Sequence, residues 1–173
     1  MARRFFYDTE FMEAPGSLEL LSIGVVSEDG REFYAENEEA DVACANPWVC
    51  EHVLAHLNAP GVLRLRPNGI ARHLRAFLNP QQEDPVELWG YYSAYDHVIL
   101  CWLFGAMVDL PPGMPMLTLD VKQWAIDLGD PQLPKQGADE HDALADARWT
   151  RGAYLFLRDY AGRPSGAMNY GHD

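Results

Sequence analysis

Basic residues are scarce in this chain: 13 Lys and Arg stand against 26 Asp and Glu, for a formal net charge of −13. Non-specific affinity for nucleic acid comes mainly from cations that neutralise phosphates, so this balance argues against a protein that coats nucleic acid. It leaves room for an enzyme that grips a few nucleotides through metal ions, whose own charge inverts the local field. Cysteine is scarce too. Cys44, Cys50 and Cys101 make an odd number with no C-x-x-C spacing, which argues against a disulfide framework or a zinc knuckle. The chain reads as reduced and cytoplasmic. No stretch approaches the roughly 18 apolar residues of a membrane span, so no membrane association is expected. The apolar run after Met1-Ala2-Arg3-Arg4 is too short for a signal peptide, and Asp8 and Glu10 interrupt it.

What is present is the composition of an ordinary globular protein: 173 residues, 48% hydrophobic and 23% charged. That length suits one domain with a real hydrophobic core. We expect a single domain over residues 1–160 and a frayed tail over 161–173, where Gly, Pro, Ser and Asn dominate.

The first third reads as β. Arg4 to Asp8 is a strand, Glu19 to Val26 a mostly apolar second strand, and Glu28-Asp29-Gly30 a turn. Arg31 to Glu36 returns with alternating apolar residues, completing a three-strand meander. The middle is helical. Pro47 suits a first helical position ahead of Trp48, Val49, Val53, Leu54 and Leu57. Asn68 is placed to cap a helix whose face is Ile70, Leu74, Phe77 and Leu78, ended by Asn79-Pro80. A strand from Val86 to Tyr92, a helix from Tyr95 to Met107, and a Pro-rich loop through Pro111, Pro112 and Pro115 follow. A short helix near Val121 to Leu128 and a last helix of about Glu140 to Tyr160, with Asp139 as its N-cap, complete the chain. A meander followed by strand and helix alternation implies an α/β structure with a mixed central β-sheet flanked by helices.

The informative residues are acids at strand ends and helix starts, where they cannot serve a core. Asp8 and Glu10 are two apart, so on an extended strand both point one way, and they repel unless a cation lies between them. The alternative is an exposed strand end with two solvated acids. Asp96 completes Ser93-Ala-Tyr-Asp96, which also matches a capping box. His141 and Asp146 open the last helix in His-Asp-Ala-Leu-Ala-Asp, where Ala143 and Ala147 keep one face thin enough for another element to approach. Arg64, Arg66, Arg72 and Arg75, and then Arg148, Arg151 and Arg158, form two basic clusters, read either as solvated faces or as a phosphate rail. His52 and His56 have the spacing of a zinc pair, but no further ligand accompanies them.

The complete pattern D-x-E … D … H-x-A-x-x-D, in order along the chain, resembles the DEDDh family of 3′–5′ exonucleases, which has an RNase H-like fold. Phe6-Tyr-Asp-Thr-Glu-Phe11, Glu19-Leu-Leu-Ser-Ile-Gly24 and Ala94-Tyr-Asp-His-Val98 are most similar to the RNase AS-type branch, which removes adenylates from RNA 3′ ends. The resemblance covers about residues 4–158. It implies that Asp8, Glu10, Asp96 and Asp146 hold two Mg²⁺ ions, with Mn²⁺ able to substitute, and that His141 is the general base. It also implies single-stranded RNA 3′ ends as substrate, 5′-mononucleotides as products, and a homodimer. The chemistry fits those roles: paired ions suit in-line phosphodiester displacement, and an imidazole takes a water proton near neutral pH. For the substrate, Phe11 and Tyr95 are candidate base-stacking rings, and Glu19 or Ser22 would accept from the adenine amine. The rival readings are a 3′–5′ DNA exonuclease with the same site and an inactive nuclease fold that only binds RNA or protein.

Overall fold

In a computed structural model, residues 2–81, 83–137 and 139–162 are described. Strand β1 (Arg3–Ala14) organises the fold because both of its faces are apolar. Phe5 and Tyr7 enter one core with Ile23, Val25, Ile70, Leu74, Ile99 and Leu100. Phe6 points the other way, to Val121, Ala125, Ala153, Tyr154 and Leu157. A strand buried on both faces belongs inside a sheet covered by helices on each side.

That sheet has six strands in the order β4-β3-β2-β1-β5-β6. β2 (Ser17–Ser27) and β3 (Glu32–Asn37) pair antiparallel in the expected meander. β5 (Val86–Gly90) lies parallel to β1, and β6 (Thr118–Asp120) parallel to β5. β4 (Arg64–Leu65) is a two-residue edge strand beside β3. Helices α2 (Pro67–Leu78) and α3 (Ala94–Phe104) supply the core around Phe5 and Tyr7, while α4 (Val121–Asp127) and α5 (Ala143–Ala161) cover Phe6. The short α1 (Pro47–His52) buries Val49 against Leu21. No helix among the described residues is long and apolar enough to cross a membrane.

Several boundaries differ from expectation for local reasons. β1 runs on past Asp8 to Ala14, because pairing with β2 continues through the two acids, with a register shift at Glu10/Phe11. The strands β4 and β6 are too short to carry a period in sequence. Helix α2 starts at Pro67 with Arg66 as its cap residue, so Asn68 lies inside its first turn. α3 stops at Phe104, since Gly105 turns out at φ 118°, and Met107 belongs to a separate 3-10 turn. β5 ends at Gly90, two residues early, and Tyr92 sits beyond it at φ 54°. The cap of α5 is Asp142, whose side chain accepts from the Ala145 N–H, so Asp139 is not the cap. The expected tail begins within the described residues, where Ala161 ends α5, and residues 163–173 lie outside them.

Candidate active site

Asp8 and Glu10 share the sheet face of Phe6, the face that α5 covers, because side chains on a strand alternate. The cross-strand partner of Asp8 is Gly24. A Cβ built on Gly24 would stand 2.3 Å from the Ala143 carbonyl oxygen and 2.4 Å from Leu144 Cα. Only a glycine lets the first turn of α5 rest on β2 at that point, which seats Asp146 beside the two strand acids. Ala143 and Ala147 are fully buried there, the thin helix face their size implies.

Asp96 arrives from the first turn of α3, and it is not a cap. Its Oδ1 accepts from the Thr9 backbone N–H (2.9 Å) and the Thr9 hydroxyl (2.6 Å). The Ser93 N–H that a capping box would use donates instead to Asp120 Oδ2 at 2.9 Å. Thr9, between the two strand acids, thus ties α3 to β1 and fixes Asp96 over the strand end.

His141 precedes α5 and does not open it. With Asp142 as the cap, His141 adopts a left-handed backbone at φ 71°, and its N–H donates to Asp146 Oδ2 at 3.0 Å. The Gln136 amide donates to the other Asp146 oxygen, Oδ1. Donor atoms of Glu10, His141 and Asp146 all lie within 4.8 Å of one another. Asp8 and Asp96 complete the same open cleft of about 430 Å³, together with Thr9, Phe11, Glu13, Asn46, Trp48, Val49 and Tyr92.

The cleft is electrostatically strained without a cation. Burial, then the charges of Asp96, Glu10 and Asp146, hold the Asp8 carboxyl well above its usual range. Burial, then Asp146 and Asp96, lift Glu10 to about 8. Burial raises Asp96 to about 6 against the opposing Thr9 bonds. Asp146 is raised by burial as well, opposed by Gln136 and the His141 N–H. Among the described residues no side-chain cation pairs with any of the four. Carboxylate oxygens with at most one imidazole form a donor set that suits Mg²⁺ or Mn²⁺.

The substrate candidates separate. Phe11 lines the cleft, and Tyr95, half exposed, packs edge-on against it at 5.8 Å between ring centres. Ser22 and Glu19 do not reach it. Ser22 is fully buried between Glu10 and Glu36 in the sheet, and Glu19 accepts from the Asp41 N–H at 2.8 Å. Ser22 shares the sheet face of Glu10 but is covered over, and Glu19 is engaged by the loop N–H, so neither lines the cleft as an adenine reader would. Five of the seven clustered arginines are engaged elsewhere: Arg148 forks onto Glu32 (2.7 Å for both bonds), Arg151 donates to the Glu28 carbonyl, Arg158 pairs with Glu28, and Arg64 and Arg66 with Glu36, Glu38 and Glu39.

Three cleft residues, and Gln136 that supports Asp146, carried little signal. Thr9 stands inside the Asp-Thr-Glu motif, yet its hook is tertiary. Gln136 lies in an irregular loop. Tyr92 ends the expected strand and Trp48 stands in the expected helix after Pro47, and nothing in either placement signals that they are 67% and 50% exposed. His52, expected on a solvated face, stacks on Trp48 at 4.8 Å.

The geometry agrees with comparisons to known proteins. The Rv2179c-like 3′–5′ exoribonuclease domain family matches residues 3–156. The chain is 47% identical to the 3′–5′ exoribonuclease Rv2179c of Mycobacterium tuberculosis H37Rv over 146 residues, 84% of this chain and 87% of that protein. The counterpart in the CDC 1551 / Oshkosh strain matches equally. Among solved structures, an E. coli exonuclease I–ssDNA complex with bound zinc superposes at a TM-score of 0.64 with 13% identity, covering 92% of this chain. A moderately thermophilic exonuclease I from Methylocaldum szegediense gives 0.61 with 15% identity and 95% of this chain. This chain spans 42% of each of those two proteins, and the likeness establishes a common RNase H-like fold. With a family match over nearly the whole described chain and close identity to a named relative, the protein belongs to the Rv2179c-like 3′–5′ exoribonuclease family.

Proposed function

We propose that this exoribonuclease is metal-dependent and of the RNase AS type, removing nucleotides from single-stranded RNA 3′ ends as 5′-mononucleotides, with adenylate preferred. One observation carries the metal dependence: four carboxyl groups converge on one cleft with no side-chain cation to balance them. Asp8, Glu10, Asp96 and Asp146 would hold two divalent ions, Mg²⁺ by preference with Mn²⁺ substituting. Bound there, such ions supply Lewis-acid activation of the attacking water and charge stabilisation at the leaving oxygen.

The chain's own residues do the rest. Thr9 holds Asp96, and Gln136 and the His141 N–H hold Asp146, so the carboxylates need little reorganisation to receive cations. His141, at the lip of the cleft, takes the proton of the attacking water at its imidazole nitrogen. Phe11 stacks on the terminal base, supported edge-on by Tyr95. The adenylate preference and a homodimer rest on the resemblance, and a cytoplasmic location on the few, unpaired cysteines of the sequence. Residues 1–160 act as one catalytic domain in this reading.

End-labelled oligo(A), oligo(U), oligo(C) and matched DNA, digested with Mg²⁺ and with EDTA, test the proposal. Stepwise loss of 3′ nucleotides, fastest on oligo(A) and abolished by EDTA, is the expected result. Faster digestion of DNA would favour the DNA exonuclease reading, and undiminished activity in EDTA would end the metal assignment.

A further inference from the structure

A catalytic imidazole is usually oriented by a hydrogen bond to its second nitrogen. His141 has none: among the described residues no hydrogen bond reaches either ring nitrogen. Nor does a helix restrict its side chain, since the residue sits ahead of α5 with a left-handed backbone. Its N–H bond to Asp146 fixes the main chain but leaves the ring free to turn.

What touches the ring is aromatic. The Trp48 indole lies 4.8 Å from it, centre to centre, at 75°. His52 lies 6.0 Å away at 88°. Trp48 is itself held firmly, though half of its surface is exposed. Asn46 caps α1 through the Val49 N–H at 2.9 Å, and Val49 and Val53 bury against Leu21. The His52 ring stacks on the indole at 4.8 Å and 13°, with its Nδ1 2.9 Å from the Trp48 carbonyl. Because a carbonyl oxygen only accepts, that Nδ1 carries the proton, which locks His52 flat against the indole, where it also flanks the His141 ring. Trp48 is therefore a rigid wall, and His141 is the group it faces.

We propose that Trp48 is a positioning residue for His141: the indole, braced by His52, stops the imidazole from rotating out of the cleft. The proposal rests on the reading of His141 as general base. It also explains a half-exposed tryptophan on a six-residue helix that needs no such side chain for its own packing.

The test compares Trp48→Ala, Trp48→Phe, His141→Ala and the Trp48→Ala/His141→Ala double variant on 3′-labelled oligo(A) with Mg²⁺. Trp48→Ala should lower kcat roughly ten- to hundredfold with KM changed by less than about threefold, as expected for a misplaced base and intact binding. Trp48→Phe should recover most of the rate. In the His141→Ala background, Trp48→Ala should have no further effect on kcat, because the group it positions is gone. In the metal-free protein, the His141 ring resonances, identified by their absence from His141→Ala, should shift when the indole is removed.

A rise in KM at unchanged kcat would overturn the proposal and make Trp48 a substrate contact. Equal slowing by Trp48→Ala with and without His141, or His141 resonances that do not move, would overturn it as well. Parent-like turnover by His141→Ala alone would strike the general-base reading, and the positioning role with it. That outcome is distinct from any failure of the tryptophan variants.

Discussion

Alanine at Gly24 probes the contact that builds the site without touching a candidate catalytic group. The new Cβ would lie 2.3 Å from the Ala143 carbonyl oxygen and 2.4 Å from both Ala143 C and Leu144 Cα, all of them backbone atoms that no rotamer change can clear. Carbon contacts are comfortable at about 3.5–4.0 Å, so the first turn of α5 must retreat by roughly 1 Å. Asp146 and His141 move with it, away from Asp8 and Glu10. A misplacement of that size costs about 10²-fold in rate. Overpacking of this kind costs about 1–3 kcal/mol. In a chain of this length each kcal/mol lowers Tm by about 2–4 °C, so a drop on the order of 5 °C is expected. Gly152→Ala is the control. It lies on the exposed side of the same helix with nothing within 4 Å of a built Cβ. Alanine there should leave turnover unchanged and raise stability by up to about 1 kcal/mol. The assay is nucleotide release from labelled RNA beside thermal unfolding. A Gly24→Ala protein with parental rate and Tm would refute the claim that this contact sets the site.

Other consequences concern the acids and their supports. Asp8→Asn, Glu10→Gln, Asp96→Asn and Asp146→Asn should each nearly abolish turnover, and Asp8→Asn and Glu10→Gln should also raise metal-free Tm by relieving repulsion among crowded carboxylates; near-normal turnover in any two would sink the metal assignment. Glu10 is lifted from 4.5 to about 8 and Asp96 from 3.8 to about 6, so folding favours their protonated forms. Stability from this source is complete below the ordinary carboxyl values and is lost as pH climbs toward about 8. Metal-free Tm should therefore fall between about pH 5 and pH 8, Mg²⁺ should restore it most at the upper end, and a flat profile would contradict the burial of these groups. His141→Ala should cost roughly 10²–10⁴-fold in rate with little change in Mg²⁺ affinity; a parallel collapse of affinity, measured by calorimetry, would make His141 a ligand, which its place beside Glu10 and Asp146 permits. Thr9→Val removes one of the two bonds that hold Asp96 and should weaken Mg²⁺ binding with little loss of fold, whereas unchanged affinity would deny Thr9 its anchoring role.

The chemistry was legible in the sequence because it depends on residue type and order. Acids stand where a chain elsewhere has apolar residues or caps, and their spacing survives without knowledge of the fold. The elements were legible where a period ran long enough: the meander, α2 and the body of α5. The two- and three-residue strands β4 and β6 were not, since so short a segment carries no period and is created by its neighbour's free edge. Taken alone, Asp96 suits a helix cap better than a site, and only the bonds from Thr9 on β1 decide for the site. His141 read as helical until Asp142 took the cap, because neighbouring acids compete for one N-terminus and packing against β2 selects the winner. Ser22 and Glu19 sit on the strand next to the site, yet tertiary packing covers one and a loop N–H occupies the other. Trp48 lies far from His141 in sequence, and nothing local announces that their rings meet. Which groups can do the chemistry follows from the sequence alone. Which of them face the cleft, and what holds them there, is set by contacts between distant segments, since only the folded chain determines which surfaces are left open.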